Sequence, residues 1–523
     1  MAAPLHFDAT TKGNHHERDA IENAKSESEY HLSGEAEHGK LPCSSQQLER
    51  RALWKLDLTI IPIVAMFYFL SFLDRSNLGN ARIAGLQKSL HLSDNQYSIA
   101  LTVTYIPYIM AEIPANLLLK KLGPNYFLPG IVTCWGLITT LQGFVRSYSG
   151  LIAVRFFLGL VEGGMFPAIV LYLSFFYTRR ELQLRIALFF SSASLSGAFS
   201  GLLAYGIIRL DGRGDLAGWS WIFIIEGLFT FLWGVVSFFI FPASIESSKY
   251  LNHSEKALLK ARLAKDRPMA DETLERFSFA EVLASLKSPH VLINCVSLFM
   301  SGTVLYSLAY FQPTIVNSLG YSASRSQLMS VPPFVVAFAV MLFTAYISDK
   351  YCTRGLVTSG CALMGMIGFI LFYVAAPDDT SLKYASLFIS LPGVYSTIPP
   401  LSAWQSNNSE GHYRRASSIA LGFIASNLGG ILSTWIFPQS EKPGYRTGTL
   451  VGVSFCAGMI LTVACNLIWL RTANRHKIVH REKLLKDYPT HDHSQSLHPE
   501  NTSVRKKAWA DLGDRHPDFK YTY

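Results

Sequence analysis

Twelve apolar runs, each near the roughly 20 residues that a helix needs to cross a bilayer, fill most of the chain. The first six lie near residues 56–80, 96–119, 126–145, 150–177, 186–208 and 219–241. The second six lie near 291–314, 327–348, 356–376, 383–405, 416–437 and 449–470. Between the sets runs a charged, helix-friendly stretch, 242–290, with KALLKARLAKDR at its centre. Residues 1–50 are polar and rich in His, Glu and Ser, a composition too poor in apolar side chains to bury a core. They contain no apolar run, so no cleavable leader is expected. The pattern predicts an all-α membrane protein with twelve transmembrane helices in two six-helix halves, over 51–241 and 291–471. The stretch 242–290 becomes a central loop, with polar tails over 1–50 and 472–523.

Composition agrees with that reading. Half of the 523 residues are hydrophobic and only 16% are charged, against about 25% in a soluble domain. The net charge of +9 sits in tails and loops, not in an aromatic-interleaved basic patch, so a lipid surface is expected and nucleic acid is not. Lys and Arg in the short loops nearly balance. The central loop and the tails (Arg50, Arg51, Lys55, Arg471, Arg475, Lys477, Arg481, Lys483 and Lys486) tip the bias, which predicts both termini in the cytosol. The seven cysteines are scattered without a CxxC pair, and every histidine lies outside the spans or at an edge, so neither a metal nor a disulfide framework is expected. HExxH, GxSxG and Walker sequences do not occur, so hydrolysis and ATP driving lack support, and no cofactor is implied.

What changes the picture is charge inside the spans. The fourth carries Arg155 and Glu162, seven residues apart and so on one face about 10 Å apart. Gly159, Gly163 and Gly164 would let a neighbouring helix approach closely. Each ionised group near a bilayer centre costs roughly 2.5–3.5 kcal/mol on insertion scales. Asp74 and Arg75 end the first span, and Glu112 and Glu226 lie in the second and sixth. By depth, Asp74, Arg75 and Arg155 share the outer third and Glu162 lies near the midplane. One reading is a buried ionic cluster that fixes helix packing. The other is a polar site where arginine meets an anion and Glu162 handles a proton. Glu112 and Glu226 read as structural. The second half supplies neutral groups only: Tyr306, Tyr310, Gln312, Trp404, Gln405, Asn407 and Asn427.

Six plus six spans around a central loop resemble the major facilitator superfamily. The loop Ala345-Tyr-Ile-Ser-Asp349-Lys350 with Arg354 is similar to that superfamily's gating motif, with alanine in the glycine position. The matching stretch Asn116 to Lys121 lacks the acid. LDRSNLGNA at 73–81, RFFLGLVEGGMFP at 155–167, WIFIIEG at 221–227, WQSNNSEGHYRRA at 404–416 and DRHPDFKY at 514–521 resemble the fungal anion:cation symporter branch, whose members include allantoate, nicotinate, pantothenate and biotin permeases. That resemblance implies a transporter and no enzyme. It implies proton coupling at Asp74 and Glu162, substrate contact at Arg75, Arg155 and Asn427, and gating at Asp349, Lys350 and Arg354. Tyr306 and Trp404 are the aromatic candidates for orienting the substrate. Phe72 stands where a tyrosine is frequent in the family, which suggests a different or more apolar substrate.

The expected activity is proton-coupled symport of a small organic anion by a monomer in the plasma membrane. The alternatives are export of a fungal secondary metabolite and nutrient sensing by a transporter-like protein. Which acid carries the proton, and whether one arginine is held by Asp74 until substrate displaces it, stay open at this level.

Overall fold

The computed structural model describes residues 43–266, 283, 285–376, 378–410, 412–488, 508–509 and 511–523. The expected tail over 1–42, much of the central loop and most of 489–507 lie outside these residues, as do the side chains of Lys120, Arg179 and Arg180. The described residues form helices and connecting turns. In chain order the first half is α1 (Cys43–Ile83), α2 (Asp94–Leu122), α3 (Pro124–Gln142), α4 (Tyr148–Glu162), α5 (Met165–Ser174), α6 (Arg179–Ile207) and α7 (Gly218–Ile240). The connector holds α8 (His253–Asp266). The second half is α9 (Pro289–Ser318), α10 (Ala323–Tyr351), α11 (Arg354–Val374), α12 (Thr380–Tyr395), α13 (Ile398–Asn407), α14 (His412–Ser433) and α15 (Arg446–Val479).

These segments are helical because in a bilayer every backbone polar group must find its partner within the segment. Their ends are marked by polar caps. Ser93 and Gln96 exchange bonds reciprocally at the start of α2. Gln96 N donates to Ser93 Oγ at 3.2 Å and Ser93 N donates to Gln96 Oε1 at 2.9 Å. Ser147 Oγ accepts from Gly150 N at 3.2 Å at the start of α4, satisfying one of the free donors of its first turn. Seven helices are long and apolar enough to cross a membrane by length and composition: α1, α6, α7, α9, α10, α11 and α15. Large apolar side chains such as Met110, Phe239 and Leu461 face outward, as a lipid-solvated surface requires.

Two of the predicted spans are broken, and they are the fourth of each half. The first break separates α4 from α5 at Gly163 and Gly164, where Gly164 has φ 83° and the helix ends directly after Glu162. Glycine tolerates that left-handed backbone because it has no Cβ. The second separates α12 from α13 at Ser396 and Thr397. The hydrophobic pattern reads as continuous across both. Interrupted helices in matching positions of two repeats are the arrangement that transporters use around a central site.

Lys55 pairs with Glu255 of α8 at 2.7 Å and Glu49 pairs with Arg262 at 2.8 Å, so the start of α1 and the connector share one face, here called the terminus face. The C-terminal segment belongs to the same face. The sequence suggests a polar, basic tail over 472–523, but α15 continues to Val479 and residues 511–523 are docked on the second half. Phe519 and Tyr521 pack with Leu298, Leu401, Trp404, Val463 and Leu470. Lys477 Nζ donates to the Phe519 carbonyl at 2.9 Å, Tyr521 Oη donates to Asp514 Oδ2 at 3.1 Å, and Arg414 pairs with Asp514.

Candidate functional site

The centre of the first half is a crossed pair of ion pairs between α1 and α4. Arg75 Nη2 donates to Glu162 Oε1 at 3.1 Å, and Ser71 Oγ donates to the same oxygen. One residue back on α1 and seven residues back on α4, Arg155 Nη1 lies 3.9 Å from Asp74 Oδ2. All four side chains are buried. The register is set by close approach. A Cβ on Gly159 would fall 2.0 Å from the Thr104 carbonyl oxygen and one on Gly163 would fall 2.7 Å from that of Tyr108. Helix α4 therefore lies against α2 because these positions lack side chains. The glycines thus act as the sequence suggested.

The two pairs are unequal. Arg75 is enclosed by ring faces, with its guanidinium carbon 5.3 Å from the Phe72 centroid, 5.4 Å from Tyr108 and 5.0 Å from Tyr306. Each ring face attracts the cation at such range. The Arg155–Asp74 contact is too long for a hydrogen bond. Both Asp74 oxygens and Arg155 Nε and Nη2 are buried without a hydrogen-bond partner. A buried, under-satisfied ionic group is costly, so this pair is where a polar ligand would gain most.

Further polar groups surround the cluster. Asn77 Nδ2 donates to Glu226 Oε2, Ser200 Oγ donates to Asn77 Oδ1 at 3.2 Å, and Asn80 Nδ2 donates to Ser200 Oγ at 2.6 Å, which ties α1 to α6 and α7. Glu226 therefore rests on an asparagine. Glu112 faces Asn427 of α14 across the two halves. Asn427 thus belongs to a half–half crossing beside the site.

The aromatic candidates separate. Tyr306 stands over Arg75 and stacks on Phe72 with centroids 6.1 Å apart. Trp404 does not reach the site, because it lies at the terminus-face end of α13. There its Nε1 donates to the Thr522 carbonyl at 2.8 Å beneath the docked C-terminal segment. Gln405 and Asn407 are likewise used elsewhere: Gln405 accepts from Asn294 Nδ2 at 2.8 Å, and Asn407, with its amide oriented to accept, takes both Arg354 Nη groups.

The three residues expected to gate, Asp349, Lys350 and Arg354, are also divided. Arg354 Nη1 donates to Thr522 Oγ1 at 3.1 Å and its backbone N to the Tyr523 carbonyl at 3.0 Å, so the C-terminal segment holds it. Asp349 lies within electrostatic reach of Arg354, Arg185 and Glu181. Lys350 rests near the rings of Tyr346 and Tyr351.

Site-lining residues that sequence reasoning missed are Ser71, Asn77, Tyr105, Tyr108, Phe166 and Phe423. Tyr105 and Tyr108, three apart in an otherwise apolar span, carried a usable signal. Asn77 did too, three residues after Asp74.

The site is enclosed along the bundle axis. Towards the far face, Tyr105 Oη and Tyr310 Oη are 2.8 Å apart, Thr102 and Thr434 share a hydroxyl bond of 2.9 Å, and Trp435 Nε1 donates to Thr102 Oγ1 at 3.1 Å. Towards the terminus face, the rings of Phe166 on α5 and Phe423 on α14 meet with centroids 3.8 Å apart. Two helix halves, a broken helix in each and a buried ionic cluster between α1 and α4 are the build of a polytopic membrane transporter. The chain belongs to the Major Facilitator Superfamily, whose family model matches residues 64–434.

An uncharacterized transporter of Schizosaccharomyces pombe is 35% identical over 81% of this chain and 84% of its own length. The high-affinity nicotinic acid transporter of Saccharomyces cerevisiae is 31% identical over 92% of this chain and 86% of its own. These fungal relatives agree with the branch that the sequence motifs resemble. Among solved structures, the proton:xylose symporter XylE bound to 6-bromo-6-deoxy-D-glucose matches with TM-score 0.60 at 12% identity, covering 78% of this chain and 95% of that one. This likeness concerns the fold alone.

Proposed function

We propose that the protein carries a small organic monoanion together with a proton, and that Arg75, Arg155, Asp74 and Glu162 form the site. The observation that carries this reading is the crossed cluster: two guanidinium groups and two carboxylates, buried, with one pair incompletely bonded. The four charges cancel. An anion entering alone would leave the buried cluster with an uncompensated negative charge, which a low-dielectric interior opposes. An anion with one proton keeps the sum at zero.

In this mechanism the substrate carboxylate takes the unsatisfied nitrogens of Arg155 and then competes with Glu162 for Arg75. A planar guanidinium fork can hold both oxygens of a carboxylate. Glu162, losing its arginine while still enclosed, takes up the proton, because an unpaired charge is costly to bury. Tyr306 and Asn427 orient the remainder of the substrate. The Phe166–Phe423 contact opens towards one face and the Tyr105–Tyr310 contact towards the other. Both termini and the connector lie in the cytosol, the membrane is the plasma membrane, and Asp349, Lys350 and Arg354 control the cytosolic opening. The substrate class agrees with the nicotinic acid transporter among the relatives.

The test is uptake of labelled nicotinate and other monocarboxylates into proteoliposomes under an imposed pH gradient. Accumulation that follows the gradient is expected, with Glu162→Gln losing it while still exchanging substrate in counterflow. Equal uptake with and without the gradient would remove the coupling. The ring-lined wall also suits a larger apolar solute moving outward, and net efflux against a concentration gradient would favour that direction.

A further inference from the structure

The docked C-terminal segment does more than cover apolar surface. Residues 514–523 tie together the ends of α11, α13, α14 and α15, all in the second half. Asp514 pairs with Arg414 of α14, and Tyr521 N donates to Asn474 Oδ1 of α15 at 3.0 Å. The Thr522 carbonyl accepts from Trp404 Nε1 of α13 at 2.8 Å and from Asn408 Nδ2, just beyond α13, at 3.0 Å. The Thr522 hydroxyl then joins two helix ends. It accepts from Arg354 Nη1 of α11 at 3.1 Å and donates to Asn408 Oδ1 at 3.0 Å. Arg354 is thus bonded at its backbone by Tyr523, at Nη1 by Thr522 and at both terminal nitrogens by Asn407.

A clamp on one half cannot by itself favour one arrangement of the two halves, because it binds every arrangement equally. It needs a link to the first half, and Arg354 supplies one through Asp349. Asp349 stands at the end of α10. Two opposite charges lie within its electrostatic reach, Arg354 in its own half and Arg185 of α6 in the first, with Glu181 of α6 as a like charge. Arg185 is fixed in the first half, since its Nε and Nη2 hold the Asp57 carboxylate of α1 at 3.0 and 2.7 Å. Of the two arginines, Arg354 is the one whose position the docked segment sets.

We propose that the segment is a part of the terminus-face gate, with Thr522 as a positioning residue that holds Arg354 away from Asp349. The Asp349 carboxylate is then left to attract Arg185 across the halves, and the terminus face stays closed. When the segment lifts, Arg354 turns to Asp349 within the second half, the attraction across the halves is lost, and that face opens. This rests on the reading that Asp349 and Arg354 control the opening there.

The experiment uses the full chain in lipid nanodiscs, with neither substrate nor pH gradient, in a background lacking the native cysteines. Ala420→Cys is the reporter. Ala420 is buried on the stripe of α14 that carries Phe423 and Asn427, about one turn nearer the terminus face. A water-soluble maleimide should label it at least about tenfold faster with Thr522→Val, which removes a bond to a charged group. Thr522→Ser keeps the hydroxyl and should label at the wild-type rate. Phe519→Asp, which undocks the segment by charging its apolar contact, should also label fast, with monodispersity on gel filtration confirming that each variant folds. Asp349→Asn should label fast alone, and adding Thr522→Val to it should change nothing further, because both act through one carboxylate. Asp349→Asn at the wild-type rate would remove the gate reading and this proposal with it. A fast Asp349→Asn beside wild-type rates for Thr522→Val and Phe519→Asp, or additive acceleration in the double variant, would overturn the proposal and leave the gate reading standing.

Discussion

At the scale of single residues, the two arginines of the cluster have different surroundings and so different expected tasks. Arg75 has a carboxylate and three rings; Arg155 has one distant carboxylate, one ring, Phe223, at 5.8 Å, and two nitrogens without hydrogen-bond partners. Under the proposed mechanism Arg155 is therefore the first contact for an incoming anion. Lysine there would keep the charge and lose the planar fork. Truncating a buried charged partner costs on the order of 2–5 kcal/mol, at least about thirtyfold in affinity. Arg155→Lys should reach the membrane and bind a carboxylate at least about tenfold more weakly than wild type. Calorimetry with the acid and its neutral amide checks this, and equal wild-type affinity for acid and amide would mean that the arginines only hold helices together.

The identities of the four charged residues were legible in the sequence, because charges in apolar spans are conspicuous. Their partners were not. Asp74 and Arg75 are adjacent and either could have faced either residue of α4; the choice depends on helix rotation, which is set by glycine contacts with a third helix. Trp404 shows the opposite failure. An aromatic beside polar neighbours near a span end resembles a site residue, and only the docked segment reveals that its indole nitrogen is already used.

At the scale of elements, the two breaks matter most. α4 ends on Glu162 because Gly164 adopts a left-handed conformation, which in other residues costs about 1–2 kcal/mol. A Cβ on Gly164 would also fall 2.3 Å from the Ala115 Cβ. Gly164→Ala should therefore push α5 from α2, displace Glu162 from Arg75 and lower the unfolding temperature by several degrees. Thermal unfolding of the purified variant checks the stability loss, and an unchanged temperature would show that the break is tolerant. The glycines announced close packing, but a pair of glycines inside a long apolar run does not by itself announce a break. The α12–α13 break at Ser396 and Thr397 has no glycine at all. Its local signal is proline: Pro399 and Pro400 have no N–H to continue the ladder across the break and open α13 in its first turn, and the 2.6 Å bond between the Thr397 and Ser301 hydroxyls adds a tertiary tie.

The same scale includes the docked C-terminal segment. Its composition is polar, and polarity alone predicted a tail; its few apolar side chains, Phe519 and Tyr521, find a place only once α13 and α15 are assembled. His516 is buried within it beside Asp518, and burial holds its imidazole below the ordinary value of 6.5 despite the carboxylate, since desolvation disfavours the charged ring. The neutral form is then the docked one. Undocked, the ring binds a proton more readily, so docking is fully stable above about 6.5 and weakens as pH falls through the window beneath it. Proteolysis near residue 510 should accelerate between pH 7 and pH 5.5, and His516→Phe should flatten that dependence. A pH-independent cleavage rate in wild type would exclude His516 as the sensor.

At the scale of the whole molecule, the far-face seal consists of small residues on one half meeting large groups on the other. Gly197 and Gly201, four residues apart on α6, lie at a contact between halves, α6 against α10. A Cβ on Gly197 would lie 2.6 Å from the Phe334 ring, and one on Gly201 would lie 2.6 Å from the Gln327 carbonyl oxygen. Across the bundle, Tyr105 fits against Gly430 in the same manner. A ring can turn aside, but a backbone carbonyl cannot, so bulk at Gly201 must separate the halves. Gly201→Leu should therefore shift the protein towards a state open at the far face, while each half keeps its own contacts. Thr102→Cys reports on this, since Thr102 closes the seal through Thr434 and Trp435. In a background lacking the native cysteines, a membrane-impermeant maleimide should label Thr102→Cys at least about tenfold faster with Gly201→Leu than without it. Added substrate should then slow the labelling, because in the proposed mechanism an anion held by Arg155 and Arg75 of the first half is also reached by Tyr306 and Asn427 of the second, which draws the halves together. Equal labelling rates with and without the leucine would mean that the α6–α10 crossing does not govern access, leaving the tyrosine pair Tyr105 and Tyr310 as the barrier on that side.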